Sequence, residues 1–178
     1  MNVRALGQSF ALTAVAVGLI AAGCARTIDG EAVANETDRA AYVSSVSSSA
    51  AAATSARAHS AKVTVCGAFF RSAVDVKFKL SAFSRELEAQ QDREAARTKA
   101  RDAATALSSA ATTVTDALRD NPSIAAVLNS ALSEYASAAK DFASELNKLA
   151  VGSTSPEVFI AADDRYRAAR DAALDSCS

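Results

Sequence analysis

The sequence predicts an all-α protein, an antiparallel four-helix up-down bundle, on three observations. Half of its 178 residues are apolar, yet aromatics are only 6%, Trp is absent, and Ala supplies much of the apolar count. Small side chains bury little area each, so such a core works where backbones approach closely, as neighbouring helices can. With 6 Gly and 2 Pro, the chain lacks the turn residues that an all-β sandwich consumes. Finally, four stretches space their apolar residues in alternating steps of three and four, the signature of a helix with one buried face.

The first stretch carries Cys66, Phe69, Ala73, Val76, Leu80, Phe83 and Leu87 on one seam, with Phe70 and Val74 widening the face and Phe78 on a flank. It predicts a helix over about 64–90. The second, Ala96, Ala100, Ala103, Leu107, Ala110, Val114 and Ala117, is out of phase with the first. That slip predicts a turn near 90–92 with Asp92 as the N-cap. The absence of Gly and Pro between Gly67 and Pro122 leaves one long bent helix as the alternative. Asp120-Asn121-Pro122 stops the second helix, because the residue before Pro is pushed out of the α region. The third seam is Leu128, Leu132, Tyr135, Ala139, Phe142, Leu146 and Leu149, closed by Gly152. Ser155-Pro156-Glu157 then offers a capping hydroxyl, a first-turn Pro and an acid at the positive helix end. Phe159, Ala162, Tyr166, Ala169 and Ala173 form the fourth seam. Upstream, about 38–57 is rich in Ser and Ala, with a weak stripe of Tyr42, Val43, Val46 and Ala50. Ser is only a fair helix former and long Ser/Thr tracts often behave as flexible stalks, but the segment is expected as a further helix, separate from the first of the bundle. The organisation expected is a signal segment over 1–23, a tether with the Ser/Ala-rich segment over 24–62, and the bundle over 63–178.

The amino-terminal segment carries the address. Arg4 precedes an apolar run from Phe10 to Gly23, interrupted only by Thr13. At about 1.5 Å per residue the run is too short for a hydrocarbon layer of roughly 30 Å, and it fits a signal peptide better than a permanent span. Leu19-Ile20-Ala21-Ala22-Gly23-Cys24 resembles the lipobox of bacterial lipoproteins, with Ala21 where that motif most often has Leu. Ala25-Arg26-Thr27-Ile28-Asp29-Gly30-Glu31-Ala32 resembles the start of many mycobacterial and related actinobacterial lipoproteins. The resemblance implies lipidation of Cys24 after cleavage before it, and a place on the extracytoplasmic face of the cell membrane. Cys66 and Cys177 are then an even pair in an oxidising compartment, expected as a disulfide, with two buried free thiols as the alternative. In an up-down bundle the start of helix one and the end of helix four lie at the same end, and the two cysteines sit at those places. Cys66-Gly-Ala-Phe-Phe opening a helix, with a Cys closing the last one, resembles a group of actinobacterial secreted or membrane-anchored helical domains without known activity.

Charge excludes one class of partner. Of 19 basic residues Arg4 alone precedes Cys24, which leaves 18 against 20 acidic ones, and phosphate binding relies on a basic excess; no nucleic acid is expected. Catalysis finds little to use. The single His, His59, lies outside the expected bundle, so no multi-imidazole metal site exists, and no Glu or His occupies a seam position. Asp163 and Asp164 are adjacent on a helix and diverge by about 100°, which reads as solvated surface. The chain has no G-x-S-x-G elbow and no Gly-rich phosphate loop. No enzyme and no cofactor are expected. Arg93, Arg97 and Arg101, spaced every four residues, line one helix face that would suit an anionic surface, although Asp92, Glu94 and Asp102 interleave them. The sequence therefore points to a non-enzymatic, lipid-anchored interaction module meeting an envelope protein or polymer. The alternative is an extracytoplasmic carrier of an apolar ligand, lipid or haem, within the bundle.

Overall fold

The computed structural model describes residues 35–89 and 92–178. The signal segment, Cys24 and its lipidation therefore lie outside the described residues, as do Gln90 and Gln91 of the expected turn. Four helices follow one another: α1 (Glu36–Ala89), α2 (Arg93–Asp120), α3 (Ala126–Ala150) and α4 (Pro156–Cys177). No strand occurs among the described residues. Each helix packs on its neighbour in sequence, α1 on α2, α2 on α3 and α3 on α4, the up-down arrangement that short connections impose.

The helix boundaries have local causes. The Asp92 carboxylate accepts hydrogen bonds from the backbone N–H groups of Glu94 (2.9 Å) and Ala95 (3.1 Å), so α1 and α2 are two helices rather than one bent one. Asn121, before Pro122, ends α2. Gly152 follows α3 with φ +74°, the left-handed backbone that costs Gly nothing. Ser155 caps α4 through the Val158 N–H at 3.4 Å, with Pro156 in the first turn.

Helix α1 corrects the expected start of helix one at about 64. The Ser/Ala-rich segment and helix one are a single α-helix of 54 residues, about 80 Å long. Its serines and threonines remain helical by turning their hydroxyls onto the helix's own carbonyls: Ser45 donates to Tyr42 O (2.8 Å), Ser49 to Ser45 O (2.8 Å) and Thr54 to Ala50 O (2.9 Å). This local bonding satisfies groups that would otherwise compete for the backbone in non-helical conformations. Asn35 caps the start, accepting from the Thr37 N–H at 3.1 Å. Every residue from 36 to 57 is exposed, and burial begins only at Ala61. The first six turns of α1 thus extend past the bundle as a lone rod of about 33 Å.

The core is built from alanines and a few large residues. Ala100, Ala103, Ala104, Ala110 and Ala111 of α2 and Ala136, Ala138, Ala139 and Ala143 of α3 lie in one buried cluster, and such small side chains let neighbouring helices approach closely. Leu107, Leu132 and Leu146 are fully buried within it. The aromatic seam residues fill space against one another. Phe69 meets Tyr135 edge-on at 4.9 Å, Tyr135 lies 5.9 Å from Tyr166, and Phe142 stacks between Tyr166 (5.6 Å) and Phe159 (5.5 Å). Cys66 and Cys177 are joined, with Cα atoms 5.7 Å apart, tying the first buried turns of α1 to the last turn of α4.

One carboxylate is buried although it stands off the predicted seam. Glu145 of α3 is buried at 8% exposure, and it accepts from Lys148 Nζ (2.7 Å) and Thr154 Oγ1 (2.6 Å). It is one helical turn from Phe142, and the α3–α4 loop folds over it. The Lys148 and Thr154 bonds hold its carboxyl below its ordinary value of 4.5. A lowered folded-state pKa contributes stability that is present above the unfolded value and lost as pH falls through that value toward the folded one. Between pH 6 and pH 3, Glu145→Gln is therefore expected to flatten the acid limb of the urea midpoint against pH; an unchanged limb would remove Glu145 as its source.

Candidate functional site

The four-helix ring closes unevenly. While α1–α2, α2–α3 and α3–α4 pack along their lengths, α1 and α4 come together chiefly at the disulfide. Beyond it the two helices leave an apolar groove of about 690 Å³.

The reason is legible on the two flanks. Asp163, Arg167 and Arg170 recur along α4 at steps of four and three, so they share a stripe, and that stripe lines the groove. On α1 the facing stripe is Phe70, Val74, Lys77, Ser81 and Ser84. Charged side chains resist full burial, so α4 cannot lay this flank against α1. The cost falls on α1's apolar positions. Phe70 is 42%, Val74 54% and Leu87 47% exposed, which corrects the expectation that they belong to the packed face; Phe78 is exposed as well, off the stripe. The groove floor is supplied by Leu80, Phe83, Phe142 and Tyr166. Asp163 also departs from plain solvated surface, because it enters the groove wall, paired to Arg167 at 2.7 Å.

Tyrosine hydroxyls gather under the groove. Burial pushes the ionisation of both Tyr135 and Tyr166 upward, so both are neutral donors near neutral pH. The Tyr135 hydroxyl faces those of Tyr166 and Ser72 but makes no hydrogen bond to a described residue. Arg170 lies close enough to act on both phenols. Lys77, exposed on the α1 rim, has no ion pair among the described residues.

The residues singled out in the sequence are dispersed. Cys66 and Cys177 meet as a bond. Arg93, Arg97 and Arg101 stand exposed on one face of α2, a helix that contributes nothing to the groove lining. Glu94 lies 3.5 Å from Arg97 and 3.7 Å from Arg101 and offsets one of the three positive charges that their spacing aligns. His59 is exposed on α1, in a shallow hollow beside the start of α3. No group of His, Cys, Asp and Glu among the described residues could hold a metal ion, and none of the described helices is long and apolar enough to cross a membrane. Five of the seam aromatics, Phe70, Phe83, Phe142, Phe159 and Tyr166, line the groove, but its position is not readable in the sequence because it lies chiefly between the first and last helices. Its only local trace is the interleaving of Phe70 and Val74 with Lys77, Ser81 and Ser84.

This is a disulfide-closed four-helix bundle with an open α1–α4 side. The chain belongs to the Rv2240c four-helix bundle domain family, whose match spans residues 45–178 and so begins within the projecting part of α1. No curated protein and no solved structure matches the chain.

Proposed function

We propose that this chain is a lipid-anchored, non-enzymatic protein of the bacterial cell envelope, held on the extracytoplasmic face through Cys24, whose α1–α4 groove receives an apolar or amphipathic guest. The observation that carries the binding role is the groove itself: large apolar side chains left half-exposed by two helices that share a disulfide but not a packed interface. Apolar openings of this size with a few convergent polar groups are the usual form of a small-molecule site. The address rests on the lipobox-like Leu19–Cys24 segment and on the bonded Cys66–Cys177 pair, since structural disulfides persist in oxidising compartments.

A non-enzymatic role is supported by the groove's own inventory. Its one lining carboxylate, Asp163, is held by Arg167, no His lines it, and the Ser84 hydroxyl meets only the exposed Glu88 carboxylate at 3.4 Å, with no third group to complete a nucleophile–base arrangement. Lipid is favoured over haem as the guest, because no His, Cys or Met lines the walls and the one lining tyrosine, Tyr166, is a buried phenol whose ionisation burial opposes. The exposed α2 arginines support the other reading, docking on an envelope polymer, less well, given the Glu94 carboxylate among them.

Two measurements test the parts separately. Cys24→Ala is expected to move the protein from the detergent phase to the aqueous phase; unchanged partitioning would refute lipidation. Native mass spectrometry of the full chain from its host is expected to show a guest at one per chain, lost on Val74→Glu. Val74 is already half exposed, so this change spares the core. A bare protein, or a guest that survives Val74→Glu, would refute the groove as the binding site.

A further inference from the structure

We infer that the groove's guest is a single-chain amphiphile with an anionic head: the head sits against Lys77, Arg170 and Tyr166, and the alkyl chain runs along Leu80, Phe83, Leu87, Phe142 and Phe159. This deepens the proposed binding role and rests on it.

Shape suits an extended chain. The lining runs from Phe70 to Leu87 on α1, about 26 Å at 1.5 Å per residue. Spread over that length, 690 Å³ gives a mean cross-section of about 27 Å². An extended alkyl chain is of that order and can lie within the groove along its length, whereas an α-helix about 10 Å across could enter it only part-way.

Charge argues for the head and for its position. Cys66 is bonded to Cys177 and α4 runs antiparallel to α1, so Arg170 falls level with Ala73, Tyr166 with Lys77, and Phe159 with Ser84. The donors therefore cluster toward the disulfide, and the end beyond Leu80 is apolar apart from Ser81 and Ser84. The lining holds three cations, Lys77, Arg167 and Arg170, against one acid. Arg167 already answers that acid, Asp163, at 2.7 Å. Arg170 is held by its neighbour Asp171 at 2.7 Å, outside the lining, and Lys77 has no ion pair among the described residues. What remains facing the space without an ion pair is the Lys77 ammonium, with the Arg170 guanidinium near it, and the partner that matches them is an acceptor-rich anion.

The test is calorimetric titration of the full chain carrying Cys24→Ala, disulfide intact, with three probes of the same chain length: myristate, tetradecanol and tetradecyltrimethylammonium. Myristate is expected to bind one per chain, octanoate at least tenfold more weakly because it buries less alkyl surface, and the cationic probe more weakly still. Lys77→Glu, a change at an exposed position, is expected to weaken myristate at least tenfold while leaving tetradecanol unchanged. Equal binding of the three 14-carbon probes, or indifference of myristate to Lys77→Glu, would overturn the anionic head and leave the groove as an apolar site. Absence of binding by all three would overturn the groove reading as well.

Discussion

Removing the disulfide is expected to cost the bundle as much as any single change in it. The Cys66–Cys177 bond spans 111 residues, and closing a loop of that length withdraws roughly 4–5 kcal/mol of chain entropy from the unfolded state, an upper figure for the chain-entropy model. The structure adds a local effect. Along the rest of their length α1 and α4 are separated by the groove, so the bond is the chief tie between them, supplemented at the same end by Lys62 Nζ donating to the Ser178 carbonyl at 3.0 Å. In a Cys66→Ser, Cys177→Ser double variant, which leaves no odd thiol, the urea midpoint is expected to fall steeply. Amide exchange is expected to accelerate first in α4, then in α1 below Cys66, and last in the α2–α3 pair. A midpoint within a few tenths of a molar of the parent, or exchange raised evenly over all four helices, would show that the bond is ornamental.

The second large effect is expected at Phe69. Its ring is fully buried and sits edge-on to Tyr135 at 4.9 Å, at the head of the aromatic row that crosses from α1 to α4. Phe69→Ala deletes that ring from a site walled by rigid helices, and buried Phe→Ala changes cost about 3–5 kcal/mol in transfer and cavity energy. Tyr135→Phe is the informative partner experiment. The Tyr135 hydroxyl is fully buried and meets no hydrogen-bond partner among the described residues, and an unsatisfied buried hydroxyl costs about 1–3 kcal/mol. Removing it should hold or raise stability, while Phe69→Ala lowers it sharply. Chemical denaturation of the two variants checks both; a Tyr135→Phe loss comparable to that of Phe69→Ala would mean that the hydroxyl is bonded after all.

Most of the architecture was readable because its determinants are local. Asp92, Asn121-Pro122, Gly152 and Ser155-Pro156 act on the backbone within a few residues of themselves, so the breaks between helices fall where those residues stand. The three-four seams of α2 and α3 are buried nearly throughout, because those helices have neighbours on two sides. The seam of α1 was read too generously. Phe70, Val74 and Leu87 obey the same periodicity as Val76 and Phe83, but periodicity reports which face is apolar and not whether a neighbour covers it. That depends on Asp163, Arg167 and Arg170 of a distant helix. The continuity of α1 through its serines was likewise unreadable from propensity, since side-chain bonds to the i−3 and i−4 carbonyls satisfy hydroxyls without any tertiary partner. Glu145 escaped notice because its burial is supplied by Lys148 and by Thr154 in the loop after α3, not by the helix pattern.

The lone start of α1 has a thermodynamic consequence. Its 22 exposed residues hold helical form without tertiary packing, and isolated helical stretches in water sit near the balance point between helix and coil. Their backbone bonds therefore open at free energies close to zero while the bundle stays shut. Helical content and cooperative stability are thus separate properties in this molecule: part of the helix can melt and re-form on its own, and neither the aromatic row nor the groove registers the change.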